Sequence, residues 1–216
     1  MSEKKRKPYK VEKHWQAFGC ECVVIMTDMG HRCGYAGIRE KHPLYGCEYH
    51  DNSPFLEKWR DVLMKEEVGK RGPFTMFCWD GEVISPEIWF NVHFGLTFSG
   101  GDGKYPIELN GIWWYGYDCG HCDDKRSIPD ISNIEFRMLE QKFQNECMDD
   151  HRVVRSLEYC ITECENLAKQ LSELFWLPVF DHEAKDELEK VIAESNDKIE
   201  QWIQERKLRD DPNGMF

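Results

Sequence analysis

Long apolar runs are missing from this chain. No stretch of its 216 residues approaches the roughly 20 consecutive apolar positions of a membrane-spanning helix, and mean hydropathy is −0.66. A secretory leader is not expected either: MSEKKRKPYK is basic, but no apolar segment follows it. The 10 cysteines are therefore expected as free thiols in a reducing cytoplasm, not as a disulfide framework. Positive charge is scarce. Lys and Arg number 28 against 40 Asp and Glu, giving a net charge of −12 and a pI near 5.2, which excludes general nucleic-acid binding. Several catalytic signatures are absent as well. There is no Gly-x-Ser-x-Gly elbow and no His-x-Glu…Pro-Cys-x-x-Cys deaminase pattern. SGGDGK at 99–104 resembles a phosphate nest in composition only. It lacks the following Ser/Thr and the strand–loop–helix setting of a P-loop, and reads as a long hairpin loop.

What the chain does have is concentrated between Ile88 and Cys122. Ile88, Phe90, Val92, Phe94, Leu96 and Phe98 alternate with Trp89, Asn91, His93, Gly95, Thr97 and Ser99. A period of two predicts a strand with one buried face. Ile112 to Cys119 reads as its antiparallel partner, with Trp113, Tyr115, Tyr117 and Cys119 toward the core. One register then sets His93 opposite Asp118, Gly95 opposite Gly116 and Thr97 opposite Trp114. The outcome would be a His–Asp pair beside a glycine floor, walled by Trp114 and Trp89. The plain alternative is a surface hairpin whose His–Asp contact only fixes the register.

Around this hairpin the pattern predicts an α+β fold, an antiparallel sheet packed with helices and followed by a helical C-terminal hairpin or arm. Residues 1–18 read as a basic, unstructured start, 19–176 as the core domain, and 177–216 as a C-terminal helix and tail. Within the core, Cys20–Thr27 and Arg32–Ile38 read as strands joined at Asp28-Met29-Gly30. Pro54 opens a helix toward Glu66, and Phe74–Trp79 reads as a short strand. Phe136, Leu139 and Phe143 mark a helix over 134–148. A long amphipathic stripe runs from Val153 through Cys160, Cys164, Leu167 and Leu171 to Phe175. Asp181 caps a last helix with one apolar side, through which the chain would pair with itself or with another protein.

Cys119, His121 and Cys122 are the candidate soft metal ligands, with the two-residue gap that zinc sites favour. No second pair is evident, and no resident metal or other cofactor is expected. Cys160 and Cys164 lie one turn apart on the apolar stripe and read as core.

Taken in order, GYAGI (34–38), HPLYG (42–46), VHFGLTFSG (92–100), WWYGYDCGHCDD (113–124) and a helix containing ECENLAKQL resemble a family of small tailed-bacteriophage and prophage proteins. Its pattern is HGGLTYSG…WWFGFDCAHAGD, followed by a helix of this kind. The family is functionally unassigned, so the resemblance implies a phage setting and no mechanism. His93, Thr97, Ser99, Asp118, Cys119, His121 and Asp124 match the pattern. Phe94, Cys122 and Asp123 stand where it has Gly, Ala and Gly, so Cys122 is no ligand that the resemblance implies.

In that setting the sequence favours a cytosolic protein that captures a small polar ligand, such as a nucleotide signal of host defence, and so antagonises that defence. Asn91, His93, Gly95, Thr97, Ser99, Trp114, Gly116 and Asp118 are its expected binding residues. A hydrolase using His93, Asp118, His121 and Asp124, with a metal or as acid and base, is the second reading. An acidic inhibitor that binds a host protein through its C-terminal helices is the third.

Overall fold

A computed structural model describes residues 8–59, 84–101, 103–146 and 151–176. The later part of the helix expected from Pro54, the strand expected at 74–79 and the last helix lie outside these residues. The chain divides into two units, Met1–Leu174 and Phe175–Phe216, and the first contains the sheet.

Its frame is the expected α+β arrangement. Strands β1 (Tyr9–Ala17), β2 (Cys20–Thr27), β3 (Arg32–Arg39), β4 (Phe98–Gly100) and β5 (Ile112–Asp118) form one antiparallel sheet in the order β1-β2-β3-β5-β4. The run CECVVIMT makes β2, which turns at Gly30, where φ is 80°, into β3. Tyr9–Ala17 corrects the expected unstructured start. It pairs with β2 along its length, with one irregularity between Val11 and Lys13. Tyr9, Trp15 and Ala17 are half-buried between exposed Lys10, His14 and Gln16, an alternation hidden by the neighbouring lysines.

Four α-helices accompany the sheet among the described residues. They are α1 (Pro54–Glu57), α2 (Pro86–Trp89), α3 (Ile134–Glu146) and α4 (Leu157–Trp176). Ser53 caps α1 by accepting from the Leu56 N–H, and Pro54 takes the first helical position as its fixed φ allows. The expected helix over 134–148 is present, but Leu139 and Phe143 are exposed on it while Glu140 is buried. Glu140 pairs with Arg152 at 3.4 Å, and Arg126 and Arg152 lie over the Phe136 and Phe143 rings, so this helix docks through charge and cation–π contacts.

Both faces of the sheet are covered. On one lie Val23, Ile25, Cys33, Tyr35, Ile112 and Trp114, capped by Tyr9, Phe98, Tyr105, Ile107 and Leu109. Against the other packs α4, whose Cys160, Cys164, Leu167, Ala168, Leu171 and Leu174 are buried at helical spacing. Tyr117 donates its hydroxyl to the Cys160 carbonyl at 2.7 Å. A side chain at Gly34 would stand 2.6 Å from Cys164 Sγ, so the missing Cβ lets helix and sheet approach. Burying a leucine side chain contributes roughly 1.5–3 kcal/mol, so the three buried leucines of α4, Leu167, Leu171 and Leu174, rank among the main stabilising contacts.

The strand expected over Ile88–Ser99 is the main correction. Pro86 starts a helical turn, Phe90–Thr97 is a loop, and only Phe98–Gly100 pairs with β5. Phe94 (φ 53°) and Gly95 (φ 96°) are two successive residues with left-handed backbone, which breaks the extended run of a regular strand. The register is therefore different: Phe98 lies opposite Gly116 and Gly100 opposite Trp114. The ring of Tyr35 covers Gly116, so the expected glycine floor is closed.

His42 ties the loop after β3 to α4. Its Nε2–H donates to the Leu171 carbonyl at 2.9 Å, and its Nδ1 accepts from the Leu44 N–H at 3.1 Å. The bond from Leu44 needs an unprotonated Nδ1 and so the neutral ring, and burial lowers the ring's pKa below the ordinary 6.5 although the bond to Leu171 favours the charged form. A depressed folded-state pKa gives stability that is complete above the unfolded value and lost as pH falls through the folded one. Urea titrations from about pH 7 to about pH 5 should show stability falling, with a shallower fall in His42→Gln. Equal slopes would mean that His42 is not the titrating contact.

Candidate functional site

Three of the polar groups flagged by the sequence, His93, His121 and Asp124, meet beside α4. Four segments contribute: the loop Phe90–Thr97, the turn after β5 that ends at Asp124, the approach to α4 at Arg155, and α4 itself.

α4 holds the first segment from beside its apolar stripe. Gln170 accepts the Asn91 N–H through Oε1 and donates to the Asn91 carbonyl through Nε2, both at 2.9 Å. Asn166 donates to the same carbonyl, and Glu163 accepts the His93 N–H at 2.9 Å. These three residues sit at i, i+3 and i+7, which puts them on one helix face. The loop is thereby fixed through its backbone, and the His93 side chain turns inward.

His93 is not paired with Asp118. Its Nε2 meets Asp124 Oδ2 at 2.8 Å and its Nδ1 meets the Tyr159 hydroxyl at 2.9 Å. An ionised carboxylate only accepts, so Nε2 carries the proton. In the neutral ring, Nδ1 accepts from Tyr159. The side chains of His93 and Asp124 are 3% and 1% exposed, so the pair is dry. Asp124 Oδ1 accepts from Arg155 Nε at 2.7 Å, and Oδ2 accepts from the His121 N–H at 3.1 Å. Burial pushes the Asp124 carboxyl up, but the bonds from His93 and Arg155 outweigh it and hold the group down at about 2. Burial also raises the Tyr159 phenol to about 12, so it stays protonated.

His121 stands next to this pair. Its Nδ1 lies 3.6 Å from Asp124 Oδ2 and 3.9 Å from Asp118 Oδ1. Phe94 stacks on its ring at 4.7 Å between centroids. The same histidine lines a cavity of about 370 Å³, together with Tyr49, Glu87, Phe94, Leu96, Thr97 and Cys122. Burial raises the Glu87 carboxyl above its ordinary value. Ser99 accepts the Tyr49 N–H at 2.9 Å and donates to Glu48, which sets Tyr49 in the cavity wall.

The expected binding residues are thus dispersed. His93 joins His121 and Asp124. Thr97 lines the cavity, Gly95 serves the reversal of the loop, and Asp118 sits at the cluster's edge, where it also accepts the Gly120 N–H. Asn91 contributes its backbone, and Ser99 is a structural tie. Trp114 and Gly116 belong to the aromatic core on the opposite sheet face. Cys119 points inward to Cys160, with the sulfurs 3.8 Å apart, while Cys122 is exposed. Arg155, Tyr159, Glu163 and Glu87 went unread in the sequence. Tyr159 and Glu163 are one turn apart beside the apolar stripe, and that spacing was their only signal.

Leaving a buried donor such as the His93 Nε2–H without its acceptor costs about 1–3 kcal/mol, toward the upper end where the lost acceptor was charged. Asp124→Asn should therefore lower unfolding stability in urea by about 3 kcal/mol. Exposed Asp123→Asn should change it by under about 0.5 kcal/mol. Similar small effects for both would contradict the network.

No family model, no curated protein and no solved structure matches the chain, so the functional reading rests on its own sequence and geometry.

Proposed function

We propose that the protein captures a small polar ligand in the cavity beside His121. The observation that carries this reading is the cavity itself. Its volume of about 370 Å³ falls in the range of small-molecule sites, and its lining is apolar with a few convergent polar groups. Phe94 and Tyr49 offer ring faces for a planar group such as a base. Glu87, Thr97 and His121 offer hydrogen-bonding groups of different kinds, which would orient a ligand carrying both donors and acceptors. A nucleotide or nucleoside is the ligand class that uses both features. The bacteriophage setting and a role against host defence rest on the sequence resemblance.

The second reading, a hydrolase, is favoured by one observation: Glu87, its carboxyl pKa raised by burial, lines the same cavity as His121. Such a pair can exchange protons with a bound substrate. The third reading, inhibition of a host protein through the last helices, falls on residues outside those described.

Thermal-shift and calorimetric titration of a nucleotide and metabolite panel tests capture. A ligand should raise the melting temperature, and Thr97→Trp, at an exposed cavity-lining position, should abolish the shift while leaving the unliganded melting temperature within a few degrees. Retention of binding in Thr97→Trp would place the ligand elsewhere. Turnover of the same panel, lost in Glu87→Gln, would select the hydrolase.

A further inference from the structure

We propose that His93 Nε2, His121 Nδ1 and Asp124 Oδ2 form a binding site for one divalent transition-metal ion of the zinc type. One ligand atom from each of His93, His121 and Asp124 lies within 4.8 Å of the other two. Ligands about 2.1 Å from a tetrahedral ion stand about 3.4 Å apart. The observed separations of 2.8 Å from His93 to Asp124 and 3.6 Å from His121 to Asp124 bracket that value. Small side-chain shifts would therefore bring the three into coordination.

The hydrogen-bonded network of His93, Asp124 and Arg155 satisfies its own members without a metal. What it leaves over is His121. Its Nδ1 is shielded from solvent and has no hydrogen-bond partner among the described residues. A shielded imidazole nitrogen without a partner is costly, and it sits beside a carboxylate oxygen that already faces a second imidazole. An ion at this point would satisfy it.

The surrounding contacts are those that orient metal ligands. Tyr159 meets His93 on the ring nitrogen opposite the site, and Arg155 holds the Asp124 oxygen that is not needed. Phe94 fixes the plane of the His121 ring by stacking. On binding, the His93 Nε2 proton would leave that atom, and the Nδ1–H tautomer would donate to Tyr159. Two imidazoles and one carboxylate suit zinc, and also cobalt or ferrous iron. Calcium and magnesium prefer sites made of oxygen. The thiols are not part of this set: Cys119 faces Cys160, and Cys122 is exposed on the cavity rim. The Cys-x-x-Cys spacing is therefore not the metal-binding device. Because His121 also lines the cavity, the ion would sit at its edge and be open to exchange.

The test uses the full chain, stripped with chelator and titrated with Co²⁺ and Zn²⁺ without any organic ligand. It is therefore independent of whether the cavity captures a metabolite. The wild type should bind one equivalent, with a visible cobalt spectrum lacking thiolate charge-transfer bands. His121→Ala removes a ligand but leaves the His93–Asp124–Arg155 contacts in place, and should abolish that equivalent while remaining folded by circular dichroism. Tyr159→Phe should weaken binding about 10–100-fold. Cys122→Ser should leave it unchanged. Absence of bound metal in the wild type, survival of the equivalent in His121→Ala, or its loss in Cys122→Ser would overturn the proposal.

Discussion

A carboxylate taken out of water must be met by donors or positive charge, and Asp124 imposes that demand on this fold. Its side chain is 1% exposed. It is answered by His93 from the loop before β4, by the His121 N–H from its own turn, and by Arg155 from the approach to α4. Three segments distant in sequence are thereby fixed around one oxygen pair. Compensation of the buried charge and placement of the functional groups are one arrangement here. The His93 ring cannot turn away from the site without leaving Asp124 short of a donor.

α4 supports this arrangement with two adjacent stripes. Its apolar stripe, from Cys160 to Leu174, docks on the sheet, and the Tyr117 hydroxyl locks the two together. Its polar stripe, Tyr159, Glu163, Asn166 and Gln170, carries the loop that bears His93. Any shift of the helix on the sheet would move the His93 backbone with it. The cavity is set from the other side, where Ser99 and the Tyr49–Glu87 backbone contact hold the opposite wall.

Much of this was legible in the sequence, though not as drawn there. The β2–β3 hairpin and β5 are announced by their β-rich runs and turn residues, and α4 by an apolar stripe at helical spacing that its packing keeps. The alternation from Ile88 to Ser99 is regular, yet it does not make a strand. Pro86 favours a helical turn, and the left-handed pair Phe94-Gly95 reverses the loop. For the candidate site, His93, His121 and Asp124 were all named, but His93 was assigned to Asp118. A period of two places residues on faces and cannot say which carboxylate a loop residue reaches. Trp114 and Gly116 were lost from the site because the sheet is covered on both faces, and single-strand patterning does not reveal a second cover. Arg155 and Tyr159 come from 31 and 66 residues beyond their partners, and no local spacing announces such a contact.

The central claim is that His93 is locked between Asp124 and Tyr159. Nitrogen-15 NMR of the histidine rings in metal-free protein tests it most directly. The account predicts that His93 Nε2 carries a proton that exchanges slowly with water, and that this protection disappears in Asp124→Asn. A His93 ring exchanging as freely as an exposed histidine, or one protonated at Nδ1 alone, would contradict it.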